Sequence, residues 1–186
     1  MSYYLWVVFL ALHFTGAAAY AGPDLEAAAL LQEIEHYELL LQKEGRQAKT
    51  LNGIGFSYYR LNRIPEALDA YQNAIVVDPG YALAYNNLGA AYLSIKKYAQ
   101  GEAAFRQALQ IDPARGKAAY NLAVALFRQN RYLDAYHAYC KAKEIDAAYV
   151  KQRLDKSRAR EELQGKLKND PYNQFLLLAL KKLDAE

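Results

Sequence analysis

The feature that most constrains this chain is a beat of 34 residues. Pro79 and Pro113 stand that far apart, each preceded by aspartate (Asp78, Asp112) and by a β-branched apolar residue (Val77, Ile111). One further step leads to Ile145-Asp146-Ala147, where alanine replaces proline. Other positions keep the same phase. Gly55, Gly89 and Ala123 form one small-residue series, Ala67, Gly101 and Ala135 a second, Ala74, Ala108 and Ala142 a third. Tyr71, Phe105 and Tyr139 place an aromatic between the last two series. Ile54, Leu88 and Leu122 precede the first series, and Tyr58, Tyr92 and Leu126 follow it three residues on. A period of this length marks one supersecondary unit copied along the chain. Such units must stack, because none buries both of its faces alone.

Two helices per unit account for the spacing. Small residues at Gly55 and Ala67 let two backbones approach, and the aromatics fill the space beside the contact. Asn62, Lys96 and Asn130 occupy the turn, where asparagine readily takes the left-handed conformation that ends a helix. Pro65 suits the first turn of the second helix, where its missing N–H is no loss. Pro79 and Pro113 break the chain between units.

In these positions the chain resembles the tetratricopeptide repeat family. The resemblance divides it into units 48–81, 82–115 and 116–149. Leu51, Ile54, Gly55, Tyr58, Ala67, Tyr71, Ala74 and Pro79 fall on the family's signature positions in the first unit. Tyr85, Leu88, Gly89, Tyr92, Phe105, Ala108 and Pro113 do so in the second, which departs by Gly101 for alanine. The third keeps Leu122, Ala135, Tyr139 and Ala142, but has Ala119 for a large residue, Leu126 for tyrosine and Ala147 for proline. The fold implied is all-α: an α-solenoid of three helix hairpins between an N-terminal capping helix (22–47) and C-terminal capping helices (150–186).

The flanks carry their own signals. Leu30, Ile34, Tyr37 and Leu41 recur at helical spacing before Gly45, while Glu26, Glu33, Glu35 and Glu38 make the other side acidic. Tyr149 to Lys168 reads as one charged helix behind the third unit. Its basic stretch, Lys151, Arg153, Lys156, Arg158 and Arg160, reads as a solvated face. Asp170 and Pro171 read as the cap and first residue of a last helix over 172–183. Its run Phe175 to Leu180 is more apolar than one packing face requires, so it either caps the array or docks on a partner or membrane.

Residues 1–21 contain no Asp, Glu, Lys or Arg. The apolar run Tyr3 to Phe14 precedes a small-residue tract with A-x-A at Ala17/Ala19 and Ala19/Ala21, the outline of a secretory signal peptide without a basic start. Residues 3–22 are alternatively about long enough for a retained membrane anchor, weakened by His13, or for a buried helix. Either of the first two places the rest of the chain outside the cytoplasm, in a periplasm or secreted, or anchored at a membrane.

Several chemistries have no support. A formal charge of +3 over 186 residues is too small to argue for nucleic acid. One cysteine, Cys140, excludes a disulfide framework and reads as a small buried apolar side chain. His13, His36 and His137 lack partners at metal-ligand spacing, and no phosphate loop or zinc motif occurs. No residue set suggests catalysis, a cofactor or a metal.

Binding is the function the resemblance implies. In this family the first helix of each pair lines a concave groove. Here that face offers Lys49, Asn52, Phe56 and Tyr59, then Leu83, Asn86, Asn87, Ala90 and Leu93, then Lys117, Tyr120, Asn121, Val124 and Phe127. Asn87 and Asn121 share the position whose asparagine holds the backbone of an extended peptide in family members. A carboxamide both donates and accepts, so it matches a peptide group. The family's clamp for a carboxyl-terminal carboxylate is incomplete: Asn87 and Lys117 match it, while Asn52, Phe56 and Asn121 depart. The expectation is a non-enzymatic adaptor holding an extended segment of a protein partner. Its alternative is a membrane-anchored subunit of a larger complex.

Overall fold

The computed structural model describes residues 23–153 and 156–185, so the leader expected at 1–21 lies outside the described residues. Among the described residues ten helices follow one another without a strand: α1 (Pro23–Glu44), α2 (Ala48–Arg60), α3 (Ile64–Val77), α4 (Ala82–Ser94), α5 (Tyr98–Ile111), α6 (Gly116–Arg128), α7 (Tyr132–Ile145), α8 (Ala147–Arg153), α9 (Lys156–Asn169) and α10 (Gln174–Ala185). The hairpins α2–α3, α4–α5 and α6–α7 are the three repeat units. α3 packs on α4, α5 packs on α6, and α2, α4 and α6 lie side by side.

Each hairpin turns in the same way. Asn62, Lys96 and Asn130 have φ of 57°, 61° and 62°. The following N–H reaches back across the helix end: Arg63 to the Tyr58 carbonyl, Lys97 to Tyr92 and Arg131 to Leu126, at 2.9, 2.9 and 3.0 Å. These bonds satisfy carbonyls that a helix end otherwise leaves free. Lysine tolerates this backbone less well than asparagine, so Lys96 holds a conformation imposed by the hairpin.

The small-residue series is a set of van der Waals contacts. A Cβ on Gly55 would lie 2.6 Å from the Tyr71 ring, and one on Gly89 2.6 Å from the Phe105 ring. Tyr71 and Phe105 are correspondingly buried. In the third unit Ala123 already carries that Cβ, and Tyr139 is only half-buried. Leu126, replacing the usual tyrosine, is buried instead and joins Phe105, Leu122, Ala125 and Ala135 in one cluster. The third unit's departures are thus compensations of volume.

The core also joins each unit to the next. Ile64, Ala67 and Tyr71 pack with Leu88, Ala91 and Ala104. Ala48, Leu51 and Ala74 pack with Ala84 of the next unit and Leu41 of α1. Ala119 and Ala142 pack with Val150 of α8. The burial of Leu30 and Ile34 makes α1 the N-terminal cap.

The C-terminal region differs from the sequence reading. The described residues here are helical over Ala147–Arg153 (α8) and Lys156–Asn169 (α9), on either side of residues 154–155, which lie outside the described residues. Because position 147 is alanine and not proline, α8 starts directly after Asp146, whose Oδ1 accepts the Tyr149 N–H at 2.9 Å. The last helix begins at Gln174, later than expected. Its cap is Asn173, whose Oδ1 accepts the Leu176 N–H at 3.1 Å, while Asp170 accepts the Asn173 amide at 2.8 Å. Cys140 is half-buried, not buried. No helix among the described residues is long and apolar enough to cross a membrane.

Candidate functional site

Position five or six of each first helix faces the neighbouring first helix, and in this chain those positions are asparagine. Their carboxamides form one head-to-tail chain. Asn121 Nδ2 donates to Asn86 Oδ1 at 3.4 Å, Asn86 Nδ2 to Asn87 Oδ1 at 3.2 Å, and Asn87 Nδ2 to Asn52 Oδ1 at 3.0 Å. Three repeat units are thereby joined by polar bonds that all run in one direction. Asn52 and Asn86 are each only 7% exposed, whereas Asn87 and Asn121 are half-buried and open to the concave side. Each carboxamide has two N–H groups and an oxygen with two lone pairs. The chain therefore keeps a spare donor at its Asn52 end and a spare acceptor at its Asn121 end. Aligned amide dipoles polarise one another.

Around this floor the expected residues separate into three groups. Phe56, on α2, is 47% exposed, and no core cluster includes it. Tyr59 and Leu93 are half-buried and pack against the inter-unit clusters, so only part of each faces the groove. The third-unit residues are covered by the chain itself. Tyr120 donates to the Arg153 carbonyl at 3.4 Å and meets the Tyr149 ring edge-on at 5.8 Å. Lys117 lies over the Tyr149 ring at 5.6 Å, with Arg153 at 5.7 Å from the same centroid. Phe127 is capped by the Lys166 ammonium at 4.9 Å and by Tyr132 at 5.6 Å. Of the ten expected residues, Phe56 is exposed, Asn87 and Asn121 are half-buried, and Asn52 and Asn86 are buried.

Tyr149, Arg153, Glu162 and Lys166 were not foreseen at the groove. Arg128 pairs with Glu162 and Tyr132 meets Lys166, each 34 residues on, so α9 lies against the third hairpin. Burial against two rings pushes the Lys166 ammonium below its ordinary value; Glu162 opposes that shift and Arg128 adds to it. The ammonium donates to Asn130 Oδ1 at 2.7 Å. Burial likewise raises the Tyr120 phenol, with Tyr149 and Tyr139 adding to the shift and Arg153 opposing it.

A second polar cluster holds the units together away from the groove. Both carboxylate oxygens of Glu102 on α5 accept from Arg131 Nη1, at 2.8 and 2.9 Å, and the group also accepts from Gln129 at 2.8 Å and from Arg106 at 2.9 Å. Burial alone would raise this carboxyl, but the bonds from Gln129, Arg106 and Arg131 outweigh it and hold the pKa below the ordinary carboxylate value. Among the described residues no group of three His, Cys, Asp or Glu could hold a metal ion.

Comparison with known proteins identifies the architecture. A family model described as TPR repeat matches residues 55–96, and one described as tetratricopeptide repeat matches 82–114. Among solved structures, MamA is 18% identical with a TM-score of 0.64, covering 88% of this chain and 94% of its own. The first TPR of Spaghetti (RPAP3), bound to the HSP90 peptide SRMEEVD, is 21% identical with a TM-score of 0.54, covering 75% and 91%. The Sgt2 TPR domain from Aspergillus fumigatus is 23% identical with a TM-score of 0.55, covering 64% and 82%. At these identities the likeness is one of fold. Comparison with curated proteins returns no match.

Proposed function

The chain is a tetratricopeptide repeat protein, and from that premise we propose that it is a non-catalytic adaptor whose concave face holds an extended, internal segment of a partner protein. The observation that carries this reading is the carboxamide chain from Asn121 to Asn52, in which Asn87 and Asn121 are half-buried, with Phe56 exposed one turn after Asn52. An extended backbone offers alternating C=O and N–H groups that such a floor matches without reading side chains. Phe56 supplies an apolar anchor point.

A carboxyl-terminal acidic tail of the kind bound by the Spaghetti domain suits this groove poorly. The floor is neutral amide, and the Lys117 ammonium already rests on Tyr149. Two or three hydrogen bonds of about 0.5–1.5 kcal/mol each, with one aromatic contact, support only weak affinity, in about the millimolar range. The adaptor acts outside the cytoplasm if residues 1–21 direct export, and N-terminal sequencing of the natural protein tests that part.

The groove is tested by selection on the immobilised full chain from two phage libraries. In one the random segment ends in a free carboxyl terminus; in the other it is internal. Enrichment is expected from the internal library, towards uncharged segments with one large apolar residue, and is expected to be lost on Phe56→Ala with the melting curve unchanged. Enrichment of acidic free termini, or binding indifferent to Phe56→Ala, overturns the reading.

A further inference from the structure

We propose that copies of this chain associate head to tail, the outer face of α10 of one copy against the outer face of α1 of the next. The terminal helices of a repeat array must present polar outer faces to water, since no further unit covers them. Neither end of this array does so. On α1, Leu25 is 65% exposed and Leu39 57%, with Leu31 also exposed. At about 100° per residue these three and Ala28 fall within a sector of about 120°, opposite the buried Leu30 and Ile34. On α10, Leu176 is buried against the array, while Phe175 at 47%, Leu178 at 48% and Leu177 face outward, preceded by the exposed Tyr172.

Charge selects the pairing of unlike ends over the pairing of like ones. α1 carries six acidic residues against Lys43 alone, a net of −5. α10 carries Lys181 and Lys182 against Asp184, a net of +1. The charges sit within the apolar stripes themselves. Glu35 lies four residues after Leu31 and four before Leu39, exposed with them. Lys181 follows Leu177 by four residues and Leu178 by three, exposed beside them. Two α1 helices brought together would set a net of −5 against −5, and two α10 helices +1 against +1. The mixed contact opposes unlike net charges while covering leucines on both sides. Such a contact is heterologous and continues the stacking of the units from one copy into the next. It uses none of the concave face, so it stands apart from the groove reading.

The test is co-purification of two differently tagged full-length copies expressed together. One block is Leu31→Gln with Leu39→Gln on α1; the other is Phe175→Gln with Leu178→Gln on α10. Wild-type copies are expected to co-purify. A pair carrying the same block in both copies should lose at least nine-tenths of the signal, because each contact needs one intact face of each kind. A pair with α1 blocked in one copy and α10 in the other should keep it. Glu35→Lys and Lys181→Glu, each placed in both copies, should weaken capture several-fold, and the two together in both copies should restore it. This charge exchange removes no apolar contact and so keeps the test independent of folding. Several results overturn the proposal: no capture between wild-type copies, capture surviving in either singly blocked pair, or loss in the mixed pair. Survival with α1 blocked would mean that α10 pairs with itself.

Discussion

Replacing Asn87 with alanine tests whether the carboxamide chain is part of the scaffold as well as part of the groove. Its Nδ2 donates to Asn52 and its Oδ1 accepts from Asn86, so the substitution removes the middle of the chain. Asn52 loses its partner in the chain outright, and Asn86 keeps only the 3.4 Å contact from Asn121. Both are 7% exposed, so water replaces the lost bonds incompletely. An unsatisfied buried group costs about 1–3 kcal/mol. With two such groups created, Asn52 Oδ1 and Asn86 Nδ2, we expect a loss of about 2–4 kcal/mol. Asn121→Ala removes a single long bond at the end of the chain and should cost less than about 1 kcal/mol. Urea denaturation followed by far-UV circular dichroism reads both as midpoint shifts at unchanged slope. A double-mutant cycle with Asn52→Ala should show a coupling of about 1 kcal/mol. If Asn87→Ala melts within about 0.5 kcal/mol of the parent, or the cycle shows no coupling, the bonds between units do not contribute and the asparagines serve binding alone.

Three further outcomes follow from other contacts. Gly101→Ala should stabilise the array by about 0.5–1 kcal/mol, because a helical glycine is poorer than alanine by that amount. Its Cβ would meet the Gly89 carbonyl at 3.2 Å, as the Cβ of a residue at Gly55 would meet that of Ala67; a lower thermal midpoint would show that the contact cannot relax. Lys96→Gly relieves the left-handed lysine and should raise stability by about 0.5–1 kcal/mol, and an unchanged or lower urea midpoint contradicts this. Glu102→Gln should lower stability at neutral pH and flatten its acid dependence. Because the folded pKa lies below the unfolded value, the carboxylate's contribution is present above the ordinary carboxylate range and is lost as pH falls through the folded value. A parent and variant losing stability in parallel between pH 6 and pH 3, taken as about the span of a carboxylate titration, would remove Glu102 from the account.

The hairpins were legible because their cause is local and recurs. Left-handed turns at Asn62, Lys96 and Asn130, and glycines facing Tyr71 and Phe105, are each dictated by a few residues in fixed phase. What could not be read was the direction in which polar side chains spend their bonds. Asn52, Asn86 and Asn87 belong to the expected face, but whether a carboxamide awaits a ligand or is already bonded to the next helix depends on the distance between first helices. Sequence does not state that distance. The covering of Tyr120 and Phe127 was missed for a different reason. With proline replaced by Ala147 the signature of a further unit is lost, and nothing in the sequence places Glu162 and Lys166 against Arg128 and Tyr132. The start of α10 was misplaced because Asp170 and Asn173 are both competent caps, and side-chain geometry decided for Asn173.

Since every apolar cluster straddles a boundary, each hairpin shares part of its interior with a neighbour. Severing the chain at either proline link would strip both neighbours of part of their lining at once. Loss of order should therefore begin at the two extremities and travel inward. The middle hairpin, sheltered on both flanks, should exchange its amide hydrogens last.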